Sequence, residues 1–84
     1  MFEAHIHVTL KPSILDPQGE TVRSGLRNLG FHGVQDCRIG KFMVLKLEAT
    51  DPAQAQAQVD EMCRKLLANP VIEDYVFRIN EVAG

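Results

Sequence analysis

The dipeptide Asp-Pro occurs twice, at Asp16-Pro17 and Asp51-Pro52, 35 residues apart. Each time it separates a stretch that alternates in hydrophobicity from a stretch with helical spacing. Asp accepts hydrogen bonds from the orphan N–H groups of a helix start, and Pro fits the first turn, where its missing donor costs nothing. A chain with two such starts, each preceded by a strand, is confined to a doubled β-α unit. The 84 residues leave room for one domain, residues 1–84, and no second core.

Residues 2–10 carry Phe2, Ala4, Ile6, Val8 and Leu10 on one side and Glu3, His5, His7 and Thr9 on the other. Period 2 without Gly or Pro predicts a half-buried strand, ended by Lys11-Pro12-Ser13. The first helix follows from Asp16, with Val22, Gly25, Leu26 and Leu29 as its apolar stripe and Gly30 as a left-handed stop. Gly19 and Gly25 each cost this helix about 1 kcal/mol against Ala, so it must lean on tertiary packing.

Residues 34–49 are expected to form a hairpin about Gly40-Lys41. Met43, Leu45, Leu47 and Ala49 face a core, while Phe42, Val44, Lys46 and Glu48 face away. A two-residue loop would drive Asp36 and Arg38 into that core. An odd loop over residues 39–41, with a positive φ at Gly40 or its neighbour, keeps both out. The second helix repeats the first, with Gln54 completing a capping box and Ala55, Val59, Met62, Cys63 and Leu66 forming the stripe up to Asn69-Pro70. Residues 71–80 predict a last strand, with Tyr75, Phe77 and Ile79 opposed to Val76, Arg78 and Asn80.

The order β-α-β-β-α-β predicts an α+β, ferredoxin-like fold: a four-stranded antiparallel sheet with two helices on one face. The other face stays open. It collects His5, His7, Phe42, Val44, Val76 and Arg78, more apolar groups than a solvated face needs, which marks these six as candidates for self-association. A chain this short hides only about 60–65% of its unfolded surface, so a homodimer or higher homo-oligomer is expected.

Composition narrows the function. A net charge of −2 lacks the basic excess of nucleic-acid binders, and no apolar run approaches the roughly 20 residues of a membrane span. The start is no signal peptide, so a cytoplasmic protein is expected. Cys37 and Cys63 are too few for a disulfide framework or a four-thiolate zinc site, and read as small buried hydrophobes. His5 and His7 could approach a metal from one strand face, but a third ligand is missing, so interface histidines are the better reading. Gly40-Lys41 lacks the rest of a phosphate loop. No nucleophile–base pair stands out, and no catalytic, metal or cofactor site is expected in this chain.

Four blocks carry more than the fold. They are residues 10–19 (Leu-Lys-Pro-Ser-Ile-Leu-Asp-Pro-Gln-Gly), Leu29-Gly30, Arg38-Ile39-Gly40-Lys41, and residues 66–75 (Leu-Leu-Ala-Asn-Pro-Val-Ile-Glu-Asp-Tyr). In this order and spacing they resemble the PurS family, the small subunit of phosphoribosylformylglycinamidine (FGAM) synthase, from end to end. The resemblance implies a non-catalytic member of a ligase complex in purine biosynthesis. In that complex a glutaminase subunit, PurQ, releases ammonia. A synthetase subunit, PurL, with ATP and Mg, adds it to formylglycinamide ribonucleotide, so that the whole complex turns this ribonucleotide, glutamine, ATP and water into FGAM, glutamate, ADP and phosphate. The small subunit bridges the two as a dimer. Asp16, Gln18, Arg38 and Lys41, exposed and within the matching blocks, are the candidates for partner contact, although Asp16 also reads simply as a cap. An ACT-like small-ligand domain shares the fold, but it needs a glycine-bearing loop where Lys11-Pro12-Ser13 stands. An RNA-binding sheet needs more aromatics than Phe42.

Overall fold

The structure is a computed structural model and describes residues 1–83. Its elements are β1 (Phe2–Leu10), α1 (Pro17–Asn28), β2 (Lys41–Leu47), α2 (Pro52–Met62) with a π-helical turn at Cys63–Leu67, and β3 (Glu73–Glu81). The strands form one antiparallel sheet in the order β2-β1-β3. The unit β2-α2-β3 straddles β1, so the alternating strand of the N-terminus becomes the centre of the sheet. Its inward side chains Phe2, Ala4, Ile6 and Val8 are buried; Val59 of α2 and Cys63 of the π-helical turn pack with Ala4, Ile6 and Val8, and Ala55 of α2 is buried as well. Met43, Leu45, Leu47, Tyr75, Phe77 and Ile79 flank this core from the outer strands, half-buried.

Both Asp-Pro starts act as read. Asp16 accepts from the Gly19 N–H at 2.9 Å, and Asp51 from the Gln54 N–H at 2.8 Å. Gln54 reaches back past the cap to the Thr50 N–H, 2.7 Å, one residue earlier than a standard capping box. Helix α1 closes with Gly30 at φ 102°, its N–H bonded to the Arg27 carbonyl and the Phe31 N–H to that of Leu26, a Schellman pair.

Four expectations need correction. The sheet has three strands among the described residues, because residues 34–40 join no ladder. Gly40 makes no hairpin turn; among the described residues Gly30 alone has a positive φ. Instead, residues 38–40 are held beside the end of β1. A Cβ on Gly40 would lie 2.3 Å from the Val8 carbonyl oxygen, and the Ile39 N–H is bonded to Asp16 Oδ2 at 2.8 Å. Local polar bonds have replaced the turn, and Arg38 and Lys41 occupy no hairpin tip. Third, α1 does not lie on the sheet beside α2; Val22 and Leu29 are exposed and Leu26 only half-buried. Fourth, α2 ends at Met62. The wider turn after it rotates Leu66 out to 82% exposure and brings Leu67 against the core instead, with Ala68 buried behind it.

Tyr75 ties β3 to α2: its hydroxyl donates to Asp60 at 2.7 Å. That bond holds the Asp60 carboxyl below its ordinary value of 3.8, with the Arg64 guanidinium helping, and raises the Tyr75 hydroxyl above 10.0. The two shifts act at opposite ends of the pH scale. Asp60 adds stability that is complete above pH 3.8 and drains away as pH falls below it, whereas that from Tyr75 is complete below pH 10.0 and lost above. Tyr75→Phe should therefore flatten the alkaline fall in Tm and shrink the acid one, measured by thermal melts from pH 3 to 11.

Candidate interaction site

The open face of the sheet is built from three cross-strand rows: Lys46–Glu3–Asn80, Val44–His5–Arg78 and Phe42–His7–Val76. Period 2 puts them there, since every second residue of β1, β2 and β3 points away from α2. Phe42, Val44 and Val76 are 56%, 50% and 67% exposed, one apolar patch rimmed by charge. The His7 ring lies against Phe42 with centroids 4.6 Å apart, and His5 meets the same ring edge-on at 5.8 Å. His5 Nε2 also donates to Glu3 Oε1 at 2.6 Å. Both imidazoles are thus engaged with neighbours, and no group of three His, Cys, Asp or Glu among the described residues could hold a metal ion. What the face offers is apolar contact area with polar edges, which suits a protein surface.

The second cluster lies where β1 ends and α1 begins. Asp16 is buried and uses both carboxylate oxygens, one on the Gly19 N–H and one on the Ile39 N–H. Those two bonds, led by Gly19, hold its carboxyl below the usual range. Arg38 gives Nη1 to the Ile14 carbonyl at 2.7 Å and Nη2 to that of Pro12 at 2.9 Å, pinning the loop between β1 and α1. These two residues set the shape of the cluster. Gln18 and Lys41 are its outward members, on the rim of a groove of about 420 Å³, with Lys41 Nζ 3.7 Å from Glu73. Gly19, a liability by helix propensity, is needed for packing: a Cβ there would sit 2.0 Å from the Cys37 carbonyl oxygen.

The cysteines do not meet. Cys63 is fully buried, and burial pushes its thiol up, which leaves it unreactive at neutral pH. Cys37 is half-buried beside the start of α1. One feature escaped sequence reasoning: an apolar groove of about 490 Å³ between β2 and the end of α2, lined by Leu45, Met62, Leu66 and Leu67 among others. The only hint was the doubled Leu66-Leu67, one leucine more than a single helical stripe can bury.

This arrangement is matched from end to end by known proteins. Residues 3–81 match the PurS family of phosphoribosylformylglycinamidine (FGAM) synthase. The chain belongs to the PurS family. It is 53% identical to the PurS subunit of Synechocystis over 99% of this chain and 83% of that protein. It is 48% identical to the Bacillus subtilis subunit over 100% and 99% of the two. The solved B. subtilis PurS superposes with a TM-score of 0.85 over 96% of this chain and all of that one, at 47% identity. A structure of PurLQS from Thermotoga maritima contains a chain that matches with TM-score 0.86 at 35% identity, covering 94% of this chain and 96% of that one. Membership makes the protein a subunit of FGAM synthase, a purine-biosynthetic ligase complex.

Asp16 gives the first test of the loop cluster. Asp16→Ala removes a helix cap and frees the Ile39 N–H together, and should lower Tm by roughly 4–8 °C in differential scanning calorimetry. Asp16→Asn, which keeps two acceptor lone pairs but one oxygen, should fall between the two.

Proposed function

We propose that this chain is the non-catalytic bridge of its complex, joining a PurL-type synthetase to a PurQ-type glutaminase in the cytoplasm so that ammonia passes between them. The observation that carries this reading is the match to a chain of the T. maritima PurLQS assembly across nearly the whole length. The surfaces described above support it: an exposed apolar face, a polar loop cluster and no reactive constellation among the described residues. The chemistry calls for such a part. Ammonia in water at neutral pH is mostly ammonium, which is no nucleophile, so it must travel inside protein from its source to the activated amide. A subunit that closes the joint contributes proximity and exclusion of water rather than bond-making. ATP and Mg belong on the synthetase subunit in this reading.

Within it, the open face of His5, His7, Phe42, Val44, Val76 and Arg78 serves self-association, and the four-stranded ferredoxin-like sheet belongs to the associated protein. Gln18 and Lys41 are the outward contacts to the larger subunits, with Asp16 and Arg38 fixing the loop that presents them. Val44→Asp places a charge in the centre of the open face without touching the helix side. It should keep its circular dichroism spectrum and cut the mass seen by light scattering at least twofold. An unchanged mass refutes the assignment of that face.

The bridging role is tested by reconstitution. Synthetase and glutaminase subunits without this chain should form little FGAM from glutamine, and adding it should restore the rate. High ammonium salt should partly replace glutamine for the synthetase alone, since only delivery is missing. Equal glutamine-dependent rates with and without the chain refute the proposal.

A further inference from the structure

The open face carries two histidines in different surroundings. His5 is half-buried, and its Nε2 is bonded to Glu3 Oε1 at 2.6 Å. His7 is exposed and has no hydrogen-bond partner among the described residues. Its ring stacks on Phe42 with centroids 4.6 Å apart and 29° between the planes. Across the sheet it stands between Phe42 and Val76, so its row is the most apolar of the three.

The same register lays out the charges around it. Glu3 stands on β1, Lys46 on β2, and Asp74 and Arg78 on β3. Both carboxylates are engaged, Glu3 by His5 and Asp74 by the Nζ of Lys11 at 2.9 Å. Lys46 and Arg78 pair with no carboxylate among the described residues. While the imidazoles are neutral, the charges of these four strand residues cancel. A proton on His7 makes the face positive, and no carboxylate is left to receive it. Imidazole gains and loses its proton between pH 5 and 8. On the uncovered face His7 meets water in either state. Under a second apolar surface the neutral ring keeps its stack on Phe42. A charged ring there loses its water and gains no counter-charge, which costs far more than burying the neutral one.

We propose that His7 is a proton gate on this face: the contact forms with His7 neutral, and a proton on its ring opens it. The gate rests on the self-association proposed above and adds its control by pH. Its sign follows from linkage. The covered face disfavours the charged ring, so association releases a proton from each copy. Association is therefore complete on the alkaline side of the imidazole range and weakens as pH falls through it. The unpaired Lys46 and Arg78 act in the same direction, because each new positive charge adds to theirs. His5 contributes little, since Glu3 beside it supplies a counter-charge. The fold itself does not titrate in this window: the Tyr75–Asp60 bond holds one partner below 3.8 and the other above 10.0.

The test follows the association step that Val44→Asp removes, by sedimentation equilibrium of the full chain. Its dissociation constant should rise at least roughly tenfold between pH 8.0 and pH 5.5, with an unchanged circular dichroism spectrum. His5→Gln should keep that rise, whereas His7→Gln, which takes no proton, should associate equally at both. A second measurement needs no change at His7. Diluting wild type or His5→Gln at pH 6.0, in two buffers of different ionisation heat, should show protons taken up as the contact opens. A dissociation constant that does not move with pH, a rise kept by His7→Gln, or dilution without proton uptake overturns the gate and leaves the self-association in place. Wild type no heavier than Val44→Asp at pH 8.0 overturns that self-association, and the gate with it.

Discussion

The arrangement of the whole chain turns on where the Asp16 carboxylate spends its two oxygens. One caps α1 through the Gly19 N–H, and the other takes the Ile39 N–H, twenty-three residues further along. A single side chain thereby fixes both ends of an excursion, residues 16–39, and points it away from the sheet. Arg38 reinforces the junction through the Ile14 and Pro12 carbonyls. Gly19 permits it, because nothing larger fits against the Cys37 carbonyl. The exposed stripe of α1 and the absence of residues 34–40 from the sheet accompany that clamp.

Much of this was legible from local chemistry. The alternation at Phe2–Leu10, both Asp-Pro starts, the Gly30 stop and the facing of Tyr75, Phe77 and Ile79 are written in residues that decide their own geometry within a few positions. The failures share a cause. Gly40-Lys41 reads as a turn because glycine between two apolar stretches usually is one, yet here the missing Cβ serves a close approach to the Val8 carbonyl. The stripe of α1 suggested a place on the sheet, yet Val22 and Leu29 are exposed and the stripe carries no address. Periodicity specifies a face, not what covers that face. The candidate residues divide the same way. Asp16 and Arg38 hold the loop through bonds to backbone groups, while Gln18 and Lys41 stand on its outer rim, a difference that spacing alone does not report.

A bridging subunit has to offer several surfaces at once, and a chain of this size cannot do so as a sphere. Here the sheet is covered by one helix on one side and by none on the other, and its least extent is 14 Å. Such a slab presents most of its residues to neighbours. The same geometry explains the thin core, centred on Ile6, Val8, Val59 and Cys63, and why the Tyr75–Asp60 bond matters more than in a thicker protein.

The two margins of the sheet are not alike. The unpaired β2 margin carries two charges, Lys41 and Lys46, whereas β3 forms the far margin and holds four, Glu73, Asp74, Arg78 and Glu81, along its length. Charges spaced along an edge strand discourage another strand from adding there, since each would have to shed its water. A fibre requires two receptive margins per molecule so that growth can continue in both directions. A β3 margin charged in this way gives sheet growth no easy second edge to continue from.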